Sequence, residues 1–454
     1  MRKNHLTTWV KAATLSGVAV LTLLLMPACS SDSQEGNTEY LAKDMFIVDR
    51  IFYQNNGNGT VSVSYDLRNP MHMNEKNSYV LTDYEGEINV PSAITMDGVT
   101  YQVVGVTESA FMYNTKLTKV TLPSSVASIG KMAFYGCTML EEVNVPEGVA
   151  EIPDYCFQGC TALRIVEMPQ HLNRIGTQAF RRCTKLEGIS IPEGITELSD
   201  EMFSGCNQMT AVSLPQSLES IGTMCFRGCS SIASLTMPSS MTKLGAKAFY
   251  GCNKIPAMPV PQGIKELPDS CFYGCSGITS LTLPEGLTSI GVNCFRGCSG
   301  LTEVKLPTTL TTLKSKAFNA CSKVVVFQIP EGVTELPDSV FSSCSSMLYV
   351  TLPETLKTLG IGTFAGCRLL IEVTIPESVT AIGENCFYSI DSKTGTSNWN
   401  KLTLNLKSST PPTLTGSISN ARTRKRIVVP AGYREAYTAQ PYWAEFDEIM
   451  ERNY

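Results

Sequence analysis

The chain has 454 residues, with 36 Lys and Arg against 41 Asp and Glu and a formal net charge of −5. That acidic balance argues against nucleic acid as a partner, and the three histidines, His5, His72 and His171, lie too far apart for a His-based catalytic or metal site. Length alone would suggest two or three globular domains, a prior that an internal repeat overrides.

Residues 1–28 carry Arg2, Lys3 and Lys11, then an apolar core from Ala12 to Met26, and read as an export signal to be set apart from the fold. Its removal leaves 33 basic residues against 41 acidic, a net charge of about −8. Ala28 before Cys29 resembles a bacterial lipobox, which implies that Cys29 is lipidated, becomes the first mature residue and anchors the chain in the membrane. Met26 departs from the more usual Leu, Val or Ile, and an ordinary secretory signal with an incidental cysteine is the alternative. Residues 29–44, opening with CSSDSQEGNTE, have the small, polar, acidic composition of a flexible tether. Asp32 and Glu35 there resemble the acidic stretches that send some Bacteroidetes lipoproteins to the outer surface. No later run is long and apolar enough to cross a bilayer.

Residues 45–102 read as a β-rich cap. MFIVDRIFYQ, TVSVSYDL, GEINVPSAI and VTYQVVGV have strand patterns, and NNGNG is a turn signal between the first two. Such a cap would cover the open edge of the first repeat. A separate ligand-binding domain is the other reading of this stretch.

Residues 103–390 are periodic. From Phe111 to Phe387, thirteen phenylalanines stand 23 residues apart without an insertion, and a proline follows each of the first twelve by twelve residues, from Pro123 to Pro376. Apolar residues recur six, three and one before each proline, as at Leu140, Val143 and Val145, so this part alternates as a short strand. Proline ends the strand because it has no N–H to donate. Apolar residues at plus three and plus six, often glycine at plus seven, a small residue and phenylalanine then bring the chain back across the convex side. A fixed period of this length predicts a solenoid, in which each unit buries its apolar face only against its neighbours.

CTMLEEVNVPEGVAEIPDYCF and CSGLTEVKLPTTLTTLKSKAF resemble the leucine-rich repeats of the Treponema pallidum type found in BspA-like bacterial surface proteins. The resemblance covers about residues 100 to 390. It implies an α/β repeat solenoid, a right-handed leucine-rich-repeat superhelix with a parallel sheet on its concave face. It also implies an adhesive or ligand-binding role at the cell surface.

Sixteen cysteines lie in the repeats, a number that invites a disulfide framework in an exported protein. The position before phenylalanine is Cys at 156, 225, 271, 294 and 386 but Ala at 110, 133, 179, 248 and 317, the exchange expected of a small buried site. The position three after it is Cys in eleven copies, from Cys137 to Cys367, and an odd number stacked in parallel favours a ladder of buried free thiols. Metal ligation by the CFxGC copies is disfavoured, since zinc sites use tighter CxxC pairs or histidines.

The outward strand positions, four and two before each proline, are mostly small and polar. KVVVFQIP and MLYVTLP depart from that pattern, placing Val325, Val326, Leu348 and Tyr349 on adjacent rungs with Ile371 on the next. This apolar patch reads either as a binding site or as surface covered by the C-terminal cap or by a slight shift of the strands. Pro256 and Pro259 enter a strand that would otherwise be central, which predicts a broken sheet near residue 257.

Residues 391–454 read as a small α/β closing cap, with strands in KLTLNLKS and KRIVVPAG and helical text in YREAYTA and WAEFDEIM. Arg422, Arg424, Lys425 and Arg426 form a basic cluster, read either as a solvated loop or as a contact for anionic glycans. No phosphate loop or catalytic arrangement stands out, and carboxylates such as Glu193 and Glu331 recur with the repeat. The expected protein is a non-enzymatic, cofactor-free monomer on the outer membrane. It would bind a host extracellular-matrix or cell-surface protein, or another cell. Glycan capture and a structural role in the envelope are the alternatives.

Overall fold

The structure is a computed structural model. It describes residues 39–42, 44–65, 72–73, 79–80, 84–257, 260–388, 402–419, 426–446 and 448–454. The export segment, Cys29, residues 30–38 and 43 of the tether, Pro259, residues 389–401 and Arg422, Arg424 and Lys425 lie outside the described residues, while Glu39–Ala42, read as tether, is a strand antiparallel to Met45–Val48.

In most repeats the alternating text before the proline forms a three-residue strand. Glu142–Asn144 pairs in parallel with Ile165–Glu167, with Val143 opposite Val166, so one repeat length equals one step of the ladder. The middle residue of such a strand is buried and its neighbours face out. After the proline a second ladder of two-residue strands follows, as where Glu151–Ile152 pairs with Arg174–Ile175. The phenylalanine turn makes a third, since the N–H of Phe134 donates to the Cys156 carbonyl at 2.9 Å and that of Gly136 to Gln158 at 2.8 Å. Each repeat is therefore three-sided, and its convex return is built from turns and short strands. Among the described residues the only helices are the five-residue Arg434–Thr438 and the three-residue 3-10 turn Trp443–Glu445.

The phenylalanine column is the core's axis. Phe249 lies 5.5 Å from Phe226 and 5.5 Å from Phe272, with rings within 7° of parallel, and all three are buried. Glycine at plus seven has a steric cause in Gly176, where a Cβ would come within 2.4 Å of the Asp154 nitrogen. The close approach lets the Thr177 N–H donate to Asp154 Oδ1 at 3.0 Å.

The concave sheet is not continuous. A first stretch runs from Glu85–Asn89 through Lys116–Thr121 to Ile165–Glu167. At Ala257, beside Pro256, the rung is reduced to a single bridge to Ser280, as it also is at Ser234, which bridges Ala211 and has no proline in its strand. A continuous six-stranded stretch then begins at Val326–Gln328 and ends at Glu448–Arg452.

At the N-terminal end, MFIVDRIFYQ is two strands and not one. Met45–Val48 and Ile51–Asn55 form a hairpin closed at Asp49 and Arg50, whose φ values of 48° and 67° match the right-handed twist of its strands. NNGNG forms the next turn, held by the Gly57 N–H donating to Asn55 Oδ1 at 2.8 Å. GEINVPSAI is also split. Glu85–Asn89 becomes the first concave rung, beside Lys116–Thr121, while Ala93–Met96 pairs back on Val99–Val106. Cap and solenoid thus interlock before residue 102.

At the other end, Thr403–Leu406 and Arg426–Pro430 add rungs to the concave sheet. WAEFDEIM, expected as helical, gives a 3-10 turn and then the strand Glu448–Arg452, parallel to Arg426–Pro430. The reason is local: Ile449 is buried by pairing beside Ile427, while Trp443 closes the core and donates its indole N–H to the Pro412 carbonyl at 2.8 Å.

Candidate functional site

Alternation along a strand sends every second side chain to the concave face, and the parallel register then lines these residues up across rungs. Val326 stands opposite Tyr349, and Tyr349 opposite Glu372. Val326 is 50% and Tyr349 51% exposed, and Val325 and Ile371 are also exposed, with Leu348 half-buried. Val325, Leu348 and Ile371 form a second row at the strand entrances, linked by the Leu348 N–H to the Val325 carbonyl at 2.9 Å and the Ile371 N–H to the Leu348 carbonyl at 3.3 Å. The five residues come together as the sequence pattern indicates, in register with their neighbours and facing solvent.

Beneath the patch the core is bulkier than elsewhere. Phe327, inward between Val326 and Gln328, packs 4.6 Å from Phe341 and 5.3 Å from Phe318, and the Phe318–Phe341 separation widens to 6.0 Å. Leu369, exposed and two residues before Ile371, extends the apolar surface. Sequence reasoning passed over Leu369 because it precedes the strand.

Glu372, opposite Tyr349, borders the patch, and further polar groups follow on the strands beyond it. The Glu372 carboxylate accepts from Asn405 Nδ2, and Lys407 pairs with Glu354 at 2.7 Å. The Tyr454 hydroxyl donates to the Val428 carbonyl at 3.4 Å, and burial pushes its pKa above the ordinary tyrosine value. An apolar centre inside a polar rim is the usual anatomy of a protein-binding surface.

The rest of the concave face is different in kind. Lys119 pairs with Glu142 at 2.9 Å and Arg164 with Glu187 at 2.5 Å. Ile165 is 60% exposed but stands singly beside Arg164 and near Glu167. The recurring carboxylates have structural work: Glu193 accepts from the backbone N–H of Gln216 at 3.0 Å, and Glu331 from the Thr355 hydroxyl. Among the described residues no cluster of His, Cys, Asp or Glu could hold a metal ion. The sixteen repeat cysteines are free and buried, and desolvation pushes the thiols of Cys206, Cys275, Cys344 and Cys386 up to about 12. Such thiols are poor nucleophiles. Cys29 lies outside the described residues, as does most of the basic cluster, of which Arg426 is engaged with Glu448 at 2.6 Å.

The BspA type leucine rich repeat region matches this chain in six copies, over residues 104–212, 196–324 and 265–394. Among solved structures, the chain is similar to a leucine-rich repeat protein from Bacteroides ovatus, at 24% identity and a TM-score of 0.64, over 90% of this chain and 100% of that one. It is also similar to a leucine rich cell surface protein from Faecalibacterium prausnitzii, at 24% identity and a TM-score of 0.53, over 82% of this chain and 96% of that one. Both likenesses concern the fold. No curated protein matches the sequence.

Proposed function

The chain belongs to the BspA-type leucine-rich-repeat family, a family of bacterial surface proteins, and from that premise we propose that it is a non-enzymatic adhesin-like protein. It is held in the outer membrane by a lipid on Cys29 and carries its solenoid outward. Its concave face binds a host matrix or cell-surface protein, or the surface of another cell, through Val325, Val326, Leu348, Tyr349 and Ile371. The observation that carries this reading is the exposed apolar cluster spanning three consecutive rungs at the start of the longest continuous stretch of concave sheet. Apolar side chains held out by a sheet lose water on docking, and a central tyrosine is the kind of anchor that contributes about 2 kcal/mol or more to such an interface.

The test is a binding screen of residues 30–454 against immobilised matrix proteins, with a Val326→Ser, Tyr349→Ser variant beside the native chain. A matrix protein bound by the native chain and lost by a variant with an unchanged melting profile supports the reading. A hit retained by the variant moves the site elsewhere, and silence from both removes the adhesin role for that panel. Protease shaving of intact cells tests the orientation, and removal of the solenoid from the cell surface is the expected result.

A further inference from the structure

We propose that the turn side of the solenoid is a binding strip for an acidic polysaccharide, with Arg227 and Arg296 taking its carboxylate or sulfate groups and Tyr250 and Tyr273 holding the two guanidinium groups in place. These four are the residues immediately after four consecutive core phenylalanines, Phe226, Phe249, Phe272 and Phe295. The Tyr250 and Tyr273 rings stack at 4.5 Å and within 4° of parallel, closer than the Phe249–Phe272 pair beneath them at 5.5 Å. The Arg227 guanidinium lies over Tyr250 at 5.7 Å, and that of Arg296 over Tyr273 at 5.6 Å. Repeat order puts the two arginines on opposite outer faces of the pair, so the arrangement is a four-layer stack with a cation at each end. All four side chains are exposed or half-exposed.

The columns that carry the stack are short of carboxylates, the nearest acid being exposed Asp269 one position outside them, which accepts from the Val292 N–H at 2.7 Å. The turn side presents two columns, one two residues before each phenylalanine and one just after it, and over the thirteen repeats the only carboxylate in them is Glu201. Glu201 is already paired with Arg181 at 3.2 Å. From Arg227 to Lys316 the same columns hold Arg227, Lys247, Arg296 and Lys316, with no ion pair among the described residues, on a chain whose net charge is −5. A guanidinium held over an aromatic ring loses less freedom when it grips an oxyanion, and Arg296 is steadied further by donating from Nη1 to Asn293 Oδ1 at 3.5 Å. Arg181, satisfied by its carboxylate, has no such freedom.

The spacing and the backbone select the ligand class. Arg227 and Arg296 are three repeats apart, roughly 15 Å at the usual inter-strand spacing, and Lys247 and Lys316 repeat that interval. Four cations over five repeats are too sparse for a nucleic acid, which carries one charge per about 3.4 Å of strand. They suit a sugar chain whose acid groups recur only every second or third ring. An extended peptide would find few main-chain partners here, because turn N–H groups already donate to the next repeat, as Gly251 does to the Tyr273 carbonyl at 2.8 Å. Ring hydroxyls can instead bond the tyrosine hydroxyls at the edge of the stack.

The test is a fluorescence titration of residues 30–454 with a labelled heparin decasaccharide, which is sulfated, and an oligogalacturonate, which is carboxylated. Saturable binding of at least one, weakening as salt rises from about 50 to 300 mM, is expected. Arg227→Gln with Arg296→Gln should lower that affinity at least tenfold, while Arg181→Gln and the Val326→Ser, Tyr349→Ser variant leave it within twofold. The melting profiles of all variants are recorded alongside, and Arg227→Lys with Arg296→Lys, which keeps the charge but loses the planar fork, should also bind more weakly. Absence of binding to both sugars overturns the proposal. So does an arginine double variant that binds as well as the native chain, or equal affinity for single-stranded DNA or polyglutamate of the same charge. Because the concave patch is varied separately, failure here leaves the adhesin reading standing, and the reverse.

Discussion

The thiol of Cys252 donates a hydrogen bond to the carbonyl of Phe226, one repeat earlier, at 3.1 Å. Phe226 is also the ring against which Phe249 stacks, three residues before Cys252. The same contact recurs from Cys137 on Phe111 to Cys367 on Phe341. Thiol and ring therefore join each repeat to its predecessor, and the column is a hydrogen-bonded part of the core.

Thiol accessibility follows from this burial. Native protein should react with none of the sixteen repeat thiols near neutral pH, and unfolded protein should titrate about sixteen without reductant. A count near zero in denaturant, measured with a chromogenic disulfide reagent, contradicts the free-thiol ladder.

Stability should fall on the alkaline side. Burial pushes Cys206, Cys275, Cys344 and Cys386 up to about 12 from the ordinary 9.0. Unfolded thiols ionise near the ordinary value while folded ones keep their protons, so between about 9 and 12 the unfolded state binds fewer protons. The stabilisation is complete below that window and is lost as pH rises through it. Urea midpoints should be flat to about pH 8.5 and decline above 9; midpoints that rise there contradict the burial.

The two cysteine positions should differ in energy. Cys275 donates to the Phe249 carbonyl at 3.0 Å, whereas Cys271 occupies the position that Ala248 and Ala317 fill in other repeats. Cys275→Ala should cost about 1–3 kcal/mol from an orphaned carbonyl and a small cavity. Cys271→Ala should cost less than about 1 kcal/mol. Urea denaturation of both variants checks the order, and the reverse order contradicts it.

Truncating the axis should do more. Phe249→Ala leaves two ring faces without partners and should cost about 3–5 kcal/mol. In a quasi-one-dimensional array such a loss can divide the melt, so calorimetry should show two transitions or one broadened transition, not a single unchanged one.

The repeat, its strand and its core were legible because thirteen copies of the unit act as an internal alignment: Phe111 to Phe387, with Pro123 to Pro376, place every inward residue. The second ladder was not, since a two-residue strand such as Arg174–Ile175 is too short to carry a period. The Asp49–Arg50 turn was missed because neither residue is glycine or asparagine, the usual signals for positive φ. The concave patch could be read from alternation alone. The Arg227, Tyr250, Tyr273, Arg296 stack could not, because the sequence puts those residues in one column without saying how their side chains lie.

The central claim is that binding runs through the apolar rungs of the concave face and not through exposed apolar residues in general. The direct measurement is the dissociation constant of the matrix protein identified in the screen for three proteins: the native chain, Val326→Ser with Tyr349→Ser, and Ile165→Ser, which alters the isolated residue that is 60% exposed on the same face. The account predicts a loss of at least tenfold for the double variant, about 1.4 kcal/mol, and no change beyond twofold for Ile165→Ser. Equal affinities for all three, or a loss confined to Ile165→Ser, contradict it.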